Sequence, residues 1–189
     1  MIRNSKKRFK FQDLSFKIRG GFTLVEIIVI IAIVGFLSAT VITGGNKGTD
    51  QRKIILETRR LAQDIRKVQN MALSAVSQNC AGLGDIVIFP GIIFSTASSD
   101  RYLLVADCDD NKIYDSGLDV LLSTTVLLSS QITSVNPASP LEIFFVPPNS
   151  ATFINTNDSS SATITLCGIK DPTVCKYIYV NSKGSISVE

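Results

Sequence analysis

The spacing of apolar and polar positions changes twice along this chain. From Phe22 to Ile42 the run is apolar, with Glu26 as its one charge. A helix over that run reaches roughly 31 Å, about the hydrocarbon thickness of a bilayer. Gly44-Gly45-Asn46-Lys47-Gly48 then predicts a hinge or a break between two helices. From Asp50 to Gln78 apolar residues recur at Ile54, Leu61, Ile65, Val68, Ala72 and Val76, the spacing of an amphipathic helix. Arg52, Lys53, Glu57, Arg60, Asp64 and Lys67 fall on its other face. Glu57 with Arg60, and Asp64 with Lys67, stand at the i,i+3 spacing of ion pairs.

After Asn79 the pattern shortens to strand-like runs rich in β-branched and aromatic residues. These are Asp85–Phe89, Ile92–Ser95, Tyr102–Ala106, Val120–Leu128, Gln131–Val135, Leu141–Val146, Ala151–Ile154, Ala162–Leu166, Lys176–Val180 and Ser185–Val188. Gly, Pro, Asn, Asp and Ser separate them. The expected fold class is α+β: a long N-terminal helix packed on an antiparallel β-sheet head. The expected divisions are 1–21 a leader, 22–45 a transmembrane or core helix, 46–78 an amphipathic helix and 79–189 a β-rich head.

Charge is distributed unevenly. Residues 1–21 carry Arg3, Lys6, Lys7, Arg8, Lys10, Lys17 and Arg19 against Asp13 alone. Basic residues on that flank hold it in the cytoplasm and place everything after Ile42 outside. From Asn79 onward there are 5 basic and 11 acidic residues, a net −6. An acidic head argues against a phosphate-binding surface, so no nucleic-acid partner is expected. The chain has no His, which excludes His-based triads and His-ligated metals. Ser/Lys or Asp/Asp chemistry has no recognisable motif here, so no enzyme activity is expected.

Cys80, Cys108, Cys167 and Cys175 all lie in the exported part, where paired cysteines read as disulfides. Four cysteines allow three pairings. The short interval between Cys167 and Cys175 favours that pair across a loop or hairpin, which leaves Cys80 with Cys108. Zinc is the alternative, but the spacing contains no C-x-x-C pair.

Glu26 needs a partner. A carboxylate near the start of a membrane helix costs on the order of 2.5–3.5 kcal/mol, and less near the interface. No Lys, Arg or His lies between Phe22 and Gly45. The partner must therefore come from another chain, a lipid headgroup or a newly made terminus; cleavage between Gly21 and Phe22 would create an α-amine one turn from Glu26, available to a neighbouring chain. Gly20-Gly21 followed by Phe22-Thr23-Leu24-Val25-Glu26 resembles the processing signal of type IV prepilins and type II secretion pseudopilins. The resemblance implies cleavage after Gly21 by a prepilin peptidase, N-methylation of Phe22, and a role for Glu26 in docking the subunit into a filament.

The densest polar stretch runs from Asp107 to Asp119. Asp107, Asp109, Asn111 and Asp115 stand at the spacing of a calcium loop. Lys112 replaces the expected Gly, and Leu118 replaces the expected bidentate acid. A polar hairpin with Asx turns is the alternative. Tyr102–Asp107, Asp110-Asn111, Tyr114-Asp115-Ser116-Gly117 and Val120-Leu121-Leu122 resemble the head of GspH/FimT-type minor pseudopilins. The ending Ile178–Asn181 and Gly184–Val188 is similar to the closing hairpin of that family.

The resemblance implies a minor pilin or pseudopilin, a structural subunit of a type II secretion pseudopilus or a type IV pilus. Its implied partners are the peptidase, other pilin subunits and an inner-membrane assembly platform, with the membrane holding the subunit before assembly. It implies a single-pass inner-membrane protein with its head outside the cytoplasm, later part of a periplasmic or surface filament. A binding module at a pilus tip, for DNA uptake or adhesion, is the alternative.

Overall fold

The computed structural model describes residues 21, 23–157 and 161–189, with the side chains of 40–47 excepted. The predicted leader, apart from Gly21, and Phe22 lie outside the described residues. The chain divides into two compact units, with the boundary between Thr43 and Gly44.

Helix α1 runs from Leu24 to Leu73. It starts in a capping box. The Glu26 amide donates to Thr23 Oγ1 at 3.2 Å, and the Thr23 amide donates to Glu26 Oε2 at 3.4 Å. Two otherwise unpaired donors of the first turn are satisfied reciprocally. The helix is one element through Gly44, Gly45 and Gly48. Each glycine costs it about 1 kcal/mol against Ala, which weakens a helix without ending it. The boundary between the two units nevertheless falls at this cluster.

The end of α1 corrects the sequence reading. Helix was expected as far as Gln78, but it stops at Leu73. Ala75 turns into the left-handed region at φ 46°. Its amide donates to the Ala72 carbonyl at 3.0 Å, and the Val76 amide donates to the Met71 carbonyl at 3.2 Å. This is a Schellman ending made without glycine, so the usual stop signal was missing from the sequence. Ser77–Cys80 therefore forms strand β1, antiparallel to β2 (Gly84–Val87).

The remaining strands are β3 (Phe89–Phe94), β4 (Arg101–Asp107), β5 (Val120–Val126), β6 (Ser130–Asn136), β7 (Leu141–Val146), β8 (Ala151–Ile154), β9 (Ala162–Gly168), β10 (Cys175–Val180) and β11 (Ile186–Val188). They form a five-stranded sheet ordered β5-β4-β3-β7-β8 and a four-stranded sheet ordered β11-β10-β9-β6. Every pairing is antiparallel. The expected run Asp85–Phe89 is divided at buried Ile88 between β2 and β3, and of the run Ile92–Ser95 all but Ser95 forms the second half of β3.

One core joins the helix to both sheets. Leu61, Ile65, Val68 and Ala72 pack with Ile92, Phe94, Tyr102 and Leu104 of the larger sheet and with Ile132, Ile164, Leu166 and Ile178 of the smaller. Each fully buried Leu, Ile or Val contributes roughly 1.5–3 kcal/mol relative to exposure.

The acids of the helix behave differently from the sequence expectation. Glu57 accepts hydrogen bonds from the Leu128 and Ser129 amides at 2.9 Å and from the Ser130 hydroxyl. Asp64 accepts from the Tyr102 hydroxyl. Neither makes an ion pair with Arg60 or Lys67; among the described residues the ion pairs on this helix are those of Asp50, with Lys53 and Lys170. Glu57 and Asp64 are thus turned to the sheets and away from the basic residues beside them on the helix.

Candidate assembly site and acidic loop

The first half of α1 has apolar surface on every side. Ile27, Ile28, Val29, Ile30 and Ile31 are consecutive and all exposed. Five consecutive helical positions turn through more than 360°, so the apolar surface encircles the helix. Leu24 and Phe36 are exposed at 76% and 73%. A helix that is hydrophobic all round requires a covering environment of lipid or protein. Among the described residues, no helix is long and apolar enough to cross a membrane. The expected span includes Phe22 and the side chains of 40–42, which lie outside the described residues.

Glu26 is the one acid in the first turn of this helix. A carboxylate there is favoured by the positive end of the helix dipole and by the Thr23 amide. The sequence reading offers another chain, a lipid headgroup or a newly made terminus as its partner, and not a neighbour in the first turn. The local partner was readable as Thr23-Leu24-Val25-Glu26, the S/T-x-x-E signature of a capping box. Among the described residues, no cation comes within ion-pair distance of Glu26. The cap therefore satisfies a hydrogen bond, and among the described residues no cation offsets the charge. Gly21 stands just before the helix; Phe22, the other half of the expected cleavage site, lies outside the described residues.

The four cysteines form two disulfides, Cys80–Cys108 and Cys167–Cys175. Cys167 and Cys175 are direct register partners across β9 and β10, with Cα atoms 4.1 Å apart. Cys80–Cys108 ties the end of β1 to the residue after β4, where the acidic loop begins. Constraining the unfolded chain in this way contributes roughly 2–4 kcal/mol per bridge.

The acidic loop is built around two buried carboxylates. Asp107 is 1% exposed. Its Oδ1 accepts from the amides of Asp109 at 3.0 Å and Asp110 at 2.8 Å, and its Oδ2 accepts from the Lys112 amide at 2.7 Å. Asp119 Oδ1 accepts from the Cys108 amide at 2.9 Å, and Oδ2 from the Asp115 amide at 2.8 Å. The loop is thus closed at both ends by side chains bonding backbone. Asp110 and Lys112 hold φ of 64° and 61°, so Lys112 takes the backbone form expected of a Gly at that position.

Carboxylate oxygens of Asp107, Asp109 and Asp119 lie within 4.8 Å of one another. That differs from the expected set of Asp107, Asp109, Asn111 and Asp115. Asn111 instead donates to Asp109 Oδ2 and Asp115 Oδ2, both at 3.0 Å, while its own oxygen accepts from Ile113. Asp119 was missed because it lies outside the alternating positions of the calcium-loop pattern and arrives through the chain reversal. Oxygen donors of this kind suit a hard cation, although three backbone amides already engage Asp107. Burial pushes the Asp107 pKa up to about 6; backbone donors oppose the shift, and Asp109 and Asp119 add to it. Glu142 is raised in the same direction, first by burial and then by Asp115 and Asp119.

No family model matches the chain. No curated protein matches it. Among solved structures, the chain is similar to the crystal structure of the type IV minor pilin FimU of Pseudomonas aeruginosa (strain PAO1), at 10% sequence identity and a TM-score of 0.45. The match covers 70% of this chain and 89% of that one.

Proposed function

We propose that this protein is a minor pilin or pseudopilin, a structural subunit that enters a filament through its N-terminal helix. The observation that carries the reading is the apolar surface encircling α1 directly behind Gly20-Gly21. The basic leader keeps the N-terminus inside, and the apolar helix waits in the inner membrane. A prepilin peptidase cuts between Gly21 and Phe22, and Phe22 is methylated. The capping box survives that cut, since Thr23 and Glu26 both lie beyond it. An assembly platform then moves the helix from lipid to a bundle of like helices, which covers the same apolar surface. The uncompensated charge of Glu26 finds the Phe22 amine of a neighbour, and this sets the register.

The disulfide-bonded β head stays outside and acts as a structural body rather than a catalyst. The experiment is mass spectrometry of the protein purified from its native envelope. The expected N-terminus is Phe22 carrying one methyl group. An N-terminus at Met1, or one after Ala39, would refute the reading.

A further inference from the structure

The charges of α1 between Asp50 and Lys67 are laid out in sevens. Asp50, Glu57 and Asp64 form one column, Arg52, Arg59 and Arg66 a second, and Lys53, Arg60 and Lys67 a third. Residues seven apart are stacked with a drift of only ~20° and a rise of about 10.5 Å. The acid column is consumed within the chain. Asp50 pairs with Lys53 and Lys170, Glu57 holds the turn at 128–130, and Asp64 takes the Tyr102 hydroxyl. All six basic residues of the other two columns are exposed. Among the described residues, Arg52, Arg59, Arg60, Arg66 and Lys67 make no ion pair.

An ordinary solvated helix pairs such cations with acids three or four residues away. Here Glu57 and Asp64 are turned to the sheets and Asp50 takes Lys53, so among the described residues Arg52, Arg59, Arg60, Arg66 and Lys67 stand without an acid along roughly 21 Å of helix. A shallow groove of about 390 Å³ continues it past Arg66 and Lys67 towards Met71 and Val76.

The same head carries the complementary surface. The loop from Asp107 to Asp119 has five Asp against one Lys; Asp109, Asp110 and Asp115 are exposed, Asp110 pairing with Lys112 while, among the described residues, Asp109 and Asp115 accept only from neutral donors of the loop, chiefly Asn111. No ion pair joins it to the helix ladder within the described chain. We propose that the arginine and lysine ladder of one copy docks on the Asp107–Asp119 loop of a second copy. Guanidinium forks match carboxylates in two-point contacts, and Arg supplies four of the six cations. Two different patches meeting head to tail give a heterologous contact, which propagates as a helical array instead of closing as a dimer. The proposal rests on the subunit reading above and adds the surface by which neighbouring heads meet.

The test places a photo-crosslinking amino acid at Gln63, an exposed position between Arg59 and Arg66, in the full-length protein in its native envelope. A homodimer crosslink mapping to residues 107–119 is expected. Arg59→Glu with Arg66→Glu should reduce it at least tenfold. Asp109→Lys with Asp115→Lys in the second copy should restore it. A crosslink that is absent, maps elsewhere or ignores the charge reversal overturns the proposal. So does salt-sensitive binding of a DNA duplex that the Arg reversal abolishes, which would assign the ladder to phosphates. Intact disulfides in the variants show that the head has folded. N-terminal processing is read on the same samples: processing at Phe22 without the crosslink removes this proposal alone, whereas an unprocessed chain removes the subunit reading.

Discussion

The Tyr102 hydroxyl donates to Asp64 Oδ2 at 2.6 Å, fastening the middle strands of the larger sheet to the helix. Tyr102 is 1% exposed, and its ring lies 5.9 Å from that of Phe94. Burial, then Asp64, holds its phenol protonated well above the usual range. Tyr102→Phe keeps the ring and strands the carboxylate. A loss of about 1.5–3 kcal/mol is expected, since the acceptor is an acid. Urea unfolding of the wild type and the variant measures it, with the slope unchanged.

Glu57 makes a comparable link at the β5–β6 turn. Two amides and a hydroxyl converge on its carboxylate. Glu57→Ala leaves all three without that acceptor and should cost about 2–3 kcal/mol. Glu57→Gln retains one acceptor oxygen and should recover part of the loss. Amide exchange at Leu128 and Ser129 should quicken in both variants, and more in the first.

These two acids show where sequence legibility ended. The stripe Ile54, Leu61, Ile65, Val68, Ala72 was readable because burial follows helical period, and all five residues are buried, whereas Val76, the sixth expected member, falls past the helix end and is half-buried. Most strands were readable because β-branched runs end at turn residues. Yet i,i+3 spacing suggested that Glu57 and Asp64 pair with Arg60 and Lys67. Spacing along a helix cannot reveal an acceptor-hungry turn or a tyrosine arriving from a distant strand. The same limit hid Asp119 from the acidic loop. The helix stop failed for another reason, because Ala75 took a conformation usually left to glycine. The Cys167–Cys175 pair was legible because short hairpins bring flanking residues into register.

Asp107 gives a pH dependence with a definite sign. Its pKa in the folded protein, about 6, lies above the ordinary value of 3.8. The folded state therefore holds this proton more tightly than the unfolded one. The stabilising contribution is complete below about pH 4 and is lost as pH rises through about 6. Carboxyl carbon NMR should show a midpoint near 6. Calcium held by Asp107, Asp109 and Asp119 would lower that midpoint and raise the melting temperature. If both stay unchanged at millimolar calcium, the loop is a plain hairpin.

Gly91 lies under the Phe144 ring, and an added Cβ would come within 2.5 Å of two ring carbons. Both residues are register partners in the centre of the larger sheet. Gly91→Ala is expected to destabilise by about 1–3 kcal/mol through overpacking. Gly91→Ala with Phe144→Leu should lose less than the sum of the two single changes, because the smaller side chain makes room. Additive losses in thermal melts would argue for a backbone cause instead of the ring.

Glu26 has two separable properties, a hydrogen bond to the Thr23 amide and a charge with no ion-pair partner among the described residues. Gln at this position keeps the capping box and removes the charge, while Leu removes both. Loss of the cap costs the helix about 0.5–2 kcal/mol, and membrane insertion should improve slightly without the carboxylate. Under the proposed function the charge is what matters, because it meets the amine that cleavage leaves on a neighbour. Leaving one partner of a buried pair alone costs about 3–5 kcal/mol. Glu26→Gln and Glu26→Leu should therefore both insert, be cut after Gly21 and form both disulfides. Both should lose co-purification with the other filament subunits to a similar extent. If Glu26→Gln assembles like the wild type and only Glu26→Leu fails, the carboxylate serves as a helix cap and not as a docking charge. If both assemble, Glu26 has no part in assembly.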